Sequence, residues 1–120
     1  VRRDRQLAIV RESVAAGTCF VAAASGAIAG FVTWDRGFFN RPFVRLLAVA
    51  AAHRRRGLAR ALLERVERAA LPDGELFVST EEINGPMRSL LSAAGYEPSG
   101  SIDRINEPGN AELVYYKRLC

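Results

Sequence analysis

Two short apolar runs, Phe43-Val44-Arg45-Leu46-Leu47-Ala48-Val49 and Leu76-Phe77-Val78-Ser79, flank one strongly amphipathic stretch that begins after Gly57. Leu58, Ala59, Leu62, Leu63, Val66, Ala69 and Ala70 share one stripe of a 3.6-residue period, with Arg60, Glu64, Arg65, Glu67 and Arg68 opposite. A helix between two mostly apolar strands predicts parallel pairing, because parallel neighbours need a crossover and cannot be joined by a tight turn.

The rest of the chain reads around that unit. Leu7, Ile9, Val10 and Val14 among charges predict a helix over Arg2 to Val14 that ends near Gly17. Cys19–Ala24 and Ile28–Trp34 predict a hairpin turned at Ser25-Gly26. Asp35-Arg36-Gly37 and Asn40-Arg41-Pro42 predict a loop around Phe38 and Phe39, two aromatics in need of burial or a ligand. Asn84-Gly85-Pro86 opens a further helix with Leu90, Leu91 and Ala94 on its apolar side, and Gly95 closes it. Tyr96 begins an extended segment, residues 106–110 form a turn, and Leu113–Tyr116 is a final strand. The expectation is a single α/β domain over residues 1–120, a mixed sheet flanked by helices.

Length and composition narrow the function classes. With 120 residues, 49% of them hydrophobic and 25% charged, the chain has the make-up of an ordinary globular domain. No apolar run approaches the roughly 20 residues of a membrane span, and Val1-Arg2-Arg3-Asp4-Arg5 is not followed by a signal peptide's apolar core, so a cytoplasmic protein is expected. Cys19 and Cys120 have no metal-ligand spacing and predict neither a disulfide framework nor a metal site. The net charge of +4 is compatible with nucleic acid, an acidic small molecule or plain solubility, so the position of the charge must decide.

That position is telling. Arg54, Arg55 and Arg56 run into Gly57 at the start of the amphipathic helix. Cations at the positive end of a helix dipole cost about 0.3–1 kcal/mol each unless an anion compensates. First-turn N–H groups, a glycine that admits a ligand to the main chain and nearby guanidinium groups together suit a phosphate. The phosphate loops GxxxxGK[ST] and GxGxxG are both absent. A nucleic-acid surface is disfavoured because Glu64, Arg65, Glu67 and Arg68 alternate in sign along the exposed face, which keeps the positive patch narrow.

What is present is Val49-x4-Arg54-x-x-Gly57-Leu58-Ala59-x-x-Leu62-Leu63. It resembles the R/Q-x-x-G-x-G/A acetyl-CoA signature of the GNAT acetyltransferase superfamily. Asn84, Leu90 and Gly95-Tyr96 follow in the right order and resemble that family's later N-x5-φ-x4-G-[FY] segment. The resemblance runs from about Val10 to Leu119. It implies a GNAT-like fold and an N-acetyltransferase that passes an acetyl group from acetyl-CoA to an amine of a small molecule or peptide by direct attack.

The resemblance also implies a site. The main chain of Leu47, Ala48 and Val49 would lend hydrogen bonds to the pantetheine arm. Backbone N–H groups through Gly57, Leu58 and Ala59 would take the pyrophosphate, Arg54, Arg55 and Arg56 would add charge, and Asn84 would reach the pantetheine. Asn84 is equally read as a helix cap, and the two roles are compatible. Where many members carry a tyrosine general acid, this chain has Leu91, and the strand from Phe43 to Val49 has no carboxylate. Candidates for catalytic roles are Glu81 and Glu82 as bases and Ser92 and Tyr96 as proton donors, each also readable as structural.

Those departures keep a CoA-binding module or partner subunit without catalysis open as the alternative. His53 sits beside the phosphate loop, where a cofactor-edge or surface role outweighs a general-base role because nothing near it in sequence orients it. Trp34, Phe38 and Phe39 suit an acceptor pocket or core and lid packing. Glu112, Tyr115 and Tyr116 read as parts of the last strand. Members of the family usually begin with a strand and a helix for which this chain shows no room, so a shortened N-terminus with an open sheet edge is expected, and a homodimer is one way to cover it.

Overall fold

The structure is a computed structural model that describes residues 2–55 and 57–120, with side chains described from residue 4 onward. Among the described residues three helices and six strands follow in chain order: α1 (Arg2–Ala16), β1 (Cys19–Ala24), β2 (Ala27–Phe38), β3 (Arg41–Val49), α2 (Leu58–Ala70), β4 (Glu75–Glu81), α3 (Gly85–Ala93), β5 (Glu97–Ile102) and β6 (Glu112–Arg118). Short 3-10 turns at Ala51–His53 and Leu71–Asp73 bracket α2. The strands form one mixed sheet in the order β1-β2-β3-β4-β6-β5. Among the described strands only β3 and β4 pair in parallel, across the α2 crossover that the amphipathic stretch predicts.

Strand alternation sorts the side chains onto two faces. Val32, Trp34, Val44, Leu76, Val78 and Tyr115 lie on one face and form the core with Leu62, Leu63, Val66 and Ala70 of α2 and Leu91 of α3. Leu63, Val66, Leu76 and Leu91 are wholly buried there. The opposite face carries Thr33, Phe43, Phe77, Ser79 and Tyr116, and α1 lies against its β1–β2 end. Ser13 ties the end of α1 to the sheet by donating to the Thr18 carbonyl at 2.6 Å.

One segment departs from the sequence reading. The residues expected to form a loop around Phe38 and Phe39 instead extend β2 to Phe38 and start β3 at Arg41, leaving a two-residue turn at Phe39 and Asn40 with φ of 53° and 62°. Packing drives this, because Phe38 stacks on Phe43 with centroids 4.7 Å apart and meets Phe77 at 5.1 Å. The charges read as loop signals serve the strand margins: Arg36 pairs with Asp73, Arg45 with Asp35 and Arg41 with Glu75. Phe39 stays 82% exposed, and Trp34 is core.

Candidate functional site

The parallel pair opens into a fork. β3 and β4 share only the rungs Phe43↔Phe77 and Val44↔Val78; beyond them β3 stays with β2 through Val49, and β4 stays with β6 through Glu81. The gap is a consequence of strand bookkeeping, since each strand keeps its antiparallel neighbour and gives up the parallel one.

One edge of that gap presents main-chain groups that β2 does not use. Ala50 donates to the Ala29 carbonyl at 2.7 Å, and bonded pairs alternate along an antiparallel ladder. Phe31 and Ala48 are therefore the next bonded pair, while Leu47 and Val49 turn their N–H and C=O groups away from β2 and into the gap. Of the three residues expected on this edge, two face it, and Ala48 is engaged by Phe31. The Val49 carbonyl already accepts a hydrogen bond from Arg54 Nε at 3.1 Å, which pins the arginine loop to the end of β3.

The gap leads into a cleft of about 710 Å³, within the range of small-molecule sites. Leu47, Ala48 and Val49 form one wall, Arg54, Arg55, Gly57, Leu58 and Ala59 one end, and Asn84 the far side. Nine of the ten residues expected around a cofactor thus meet in one cleft; the tenth, Arg56, lies outside the described residues. His53, Arg60, Pro86, Met87 and Leu90 complete the lining. Arg60 lies in the first turn of α2, three residues after Gly57, and Met87 and Leu90 follow Asn84 at three-residue steps, so helical periodicity alone would have placed them on this side.

The end of the cleft at α2 suits an anion. Gly57 caps the helix in the left-handed region at φ 77°, no side chain caps it, and the first bond within the helix is Ala61 N–H to Gly57 C=O at 3.0 Å. The N–H groups of Leu58 and Ala59 precede that bond and have no backbone acceptor among the described residues. Three guanidinium groups, Arg54, Arg55 and Arg60, line the same space. At the other side Asn84 accepts from Met87 N–H at 3.1 Å as the cap of α3, which uses its oxygen and leaves its NH₂ for a ligand. A pyrophosphate with a polar chain fits these donors and this open strand edge.

The four candidates for catalysis fall elsewhere. Tyr96 is only 4% exposed within the core, and its hydroxyl donates to Glu67 Oε2 at 2.7 Å. Burial, then the bond to Glu67 and repulsion by its charge, raise the phenol well above its ordinary range. Ser92 is on the exposed surface of α3, away from the cleft lining. Glu81 accepts from Asn110 Nδ2 at 2.7 Å at the end of β4, and Glu82 borders a separate hollow with the loop before β6. Leu91, at the position where many relatives have tyrosine, is wholly buried in the core.

The family model for GNAT acetyltransferases matches residues 2–96. No curated protein matches the chain. Among solved structures, a GNAT-family acetyltransferase from Bacillus cereus is 31% identical, with a TM-score of 0.84 over 92% of this chain and 77% of that one. A ribosomal-protein-alanine N-acetyltransferase from Brucella melitensis has a TM-score of 0.76 at 20% identity, covering 97% of this chain and 78% of that one. An acetyltransferase from Bacillus anthracis, solved in complex with acetyl coenzyme A, has a TM-score of 0.76 at 15% identity, covering 84% of this chain and 61% of that one. With the family model spanning most of its length and the six-stranded forked sheet in place, the chain belongs to the GNAT family of acetyltransferases.

Proposed function

We propose that the chain is an N-acetyltransferase that uses acetyl-CoA and a primary amine together in one complex. The observation that carries this reading is the fork between β3 and β4, whose open edge at Leu47 and Val49 runs straight to the uncapped start of α2.

Bound acetyl-CoA would supply a thioester, an acyl group activated toward an amine. The residues that would hold it are those of the cleft. Leu47 and Val49 would bond to the pantetheine amides as a neighbouring strand would. The N–H groups at the start of α2 would take the pyrophosphate, with Arg54 and Arg55 adding charge and Arg56 expected to join them. Asn84 would donate to the pantetheine from the opposite side. The chain's contribution is mostly to align two reactants, a source of large rate gains without strong acid–base help.

Acetyl-CoA at 0.1–1 mM should raise the melting temperature, on the order of 2.7 kcal/mol of added stability at a hundredfold excess over Kd, and some amine should speed release of the CoA thiol. No thermal shift at millimolar acetyl-CoA would overturn the reading. The second reading, a CoA-binding partner without turnover, is favoured by Leu91 in the core and by the placement of all four acid–base candidates outside the cleft. It requires tight cofactor binding with no thiol release across a broad amine panel. A cytoplasmic location belongs to the first reading, as does a homodimer; β1 ends the sheet, Val21 on it and Ile28 on the neighbouring β2 are exposed, and sedimentation at several concentrations tests the dimer.

A further inference from the structure

We propose that Ser79 and Glu112 are the proton-accepting pair of this site, with Ser79 meeting the amine and Glu112 receiving the proton through it; the proposal rests on the acetyl-transfer reading above.

Ser79 is the first residue of β4 beyond the last rung shared with β3, Val44↔Val78, so it stands at the vertex of the fork. Its neighbour Val78 points into the core under α2 and α3. Alternation therefore turns Ser79 to the opposite face, with Phe77 and Tyr116. The cleft that would hold the cofactor lies on the helix side, between α2 and α3. Neither Ser79 nor Glu112 lines that cleft, so the pair would meet an acyl group held along Leu47 only across the fork, at its vertex. On the Ser79 face α1 packs against β1 and β2, at the other end of the sheet.

The Ser79 hydroxyl is already oriented. It donates to Glu112 Oε2 at 2.7 Å, and Asn106 Nδ2 donates to the other oxygen, Oε1, at 3.0 Å. A hydroxyl that donates to a carboxylate keeps its lone pairs for an incoming N–H. Both side chains are partly buried, so the pair is sheltered yet reachable.

The sheet register adds a second reason. Glu81 and Glu112 are direct cross-strand partners on one face, a like-charge arrangement that ordinarily destabilises a sheet. Each carboxylate is held by a neutral amide, Glu81 by Asn110 at 2.7 Å and Glu112 by Asn106. The loop that carries Asn106 and Asn110 also carries Asp103, Arg104 and Glu107, which border a hollow together with Glu82. Acids outnumber the single arginine around that hollow, which adjoins the carboxylate pair through Asn106 and Asn110, and negative charge there favours a cationic amine.

The step balances as follows. Ser79 Oγ takes one proton from the ammonium form of the amine and passes its own to Glu112 Oε2. The freed nitrogen lone pair forms the new C–N bond at the thioester carbonyl carbon, the C–S bond breaks, and the sulfur keeps that electron pair and takes the second proton that the acylated nitrogen gives up. Glu112 then returns its proton to solvent. Ser79 is the catalytic residue here, and Glu112 acts through it.

The test uses the full chain, acetyl-CoA and a panel of primary amines and free N-terminal peptides, with water as an acceptor in every assay. Glu112→Gln and Ser79→Ala should bind acetyl-CoA with unchanged affinity. Glu112→Gln should lower kcat by about 10²–10⁴-fold and remove the acidic limb of the kcat–pH profile. Glu112→Asp should keep that limb at reduced rate, and Ser79→Ala should lose at least about tenfold, in the direction of general-base loss. If Glu112→Gln does not fold, Glu112→Asp and Ser79→Ala carry the test. Wild-type kcat with an unaltered pH profile in these variants would overturn the pair. So would a wild-type protein that binds acetyl-CoA but turns over nothing in the panel, and that result would leave the cofactor site standing. Failure of the wild type to bind acetyl-CoA would instead overturn the acetyl-transfer reading itself.

Discussion

Tyr96 donates its hydroxyl to Glu67 at 2.7 Å, and Lys117 reaches the same carboxylate oxygen at 3.2 Å. The bond ties the exit of α3 to the middle of α2, so the two helices that bound the cleft are braced against each other from behind. This places Tyr96 in the scaffold of the site.

Tyr96→Phe therefore tests a brace. A hydrogen bond to a charged group contributes about 1.5–3 kcal/mol, and Lys117 still satisfies Glu67 after the change, which brings the expected loss to about 1–2 kcal/mol. Chemical denaturation should show that loss, while acetyl-CoA affinity and turnover stay within about twofold. A collapse of turnover with unchanged stability would return Tyr96 to the reaction.

Arg54→Ala removes the bond that pins the arginine loop to the Val49 carbonyl. The loop is exposed and stability should fall by less than about 1 kcal/mol. Acetyl-CoA binding should weaken by tenfold or more, since a charge-assisted contact and the position of the loop are lost together. Isothermal titration at two salt concentrations checks this. The wild type should lose affinity with added salt more steeply than the variant, because screening acts on the charge that the variant lacks.

The Arg36–Asp73 pair gives the fold an acid-sensitive clasp between β2 and the turn after α2, with both guanidinium bonds at 2.9 Å. The bond from Arg36 holds the Asp73 carboxyl below its ordinary value of 3.8. A depressed folded-state value means that the contribution is complete above about pH 4 and fades as pH falls through the lower folded value. The pair is exposed, so Arg36→Ala should cost only about 0.2–1 kcal/mol at pH 7, with the difference from wild type shrinking as pH falls below about 4. Urea midpoints across pH 2–7 measure it.

How much of this was legible before the structure depends on how local each signal is. The α2 stripe and the Arg54-x-x-Gly57 pattern lie within one helix and its approach, where a 3.6-residue period and a left-handed glycine leave little freedom. Asn84 announced a cap because its acceptor bond spans only three residues, to Met87. The aromatic turn at Phe39 was misread because the decisive contact, Phe38 on Phe77, crosses to another strand. Ser79 and Glu112 are 33 residues apart, and only the β4–β6 register brings them together. The facing of Leu47 and Val49 likewise depends on ladder phase, which no run of apolar residues encodes.

Gly30 joins fold and site most directly. It sits opposite Val49, and a Cβ there would come within 2.8 Å of the Ala48 carbonyl and 3.3 Å of Val49 Cα. Both contacts are backbone, so Gly30→Ala cannot be absorbed by a side-chain rotation; β3 must move away from β2. Overpacking of this kind costs about 1–3 kcal/mol. The displaced segment is the strand whose outer edge at Leu47 and Val49 lines the cleft. Gly30→Ala should thus lower the melting temperature by several degrees and weaken acetyl-CoA binding as well, even though Gly30 does not line the cleft. Glycine has no such role at Gly26, where a Cβ would meet nothing within 4 Å and the positive φ of 78° alone resists substitution. Gly26→Ala should cost stability of about 1 kcal/mol with acetyl-CoA affinity intact, and calorimetry on the two variants side by side separates a strained turn from a shifted cofactor edge.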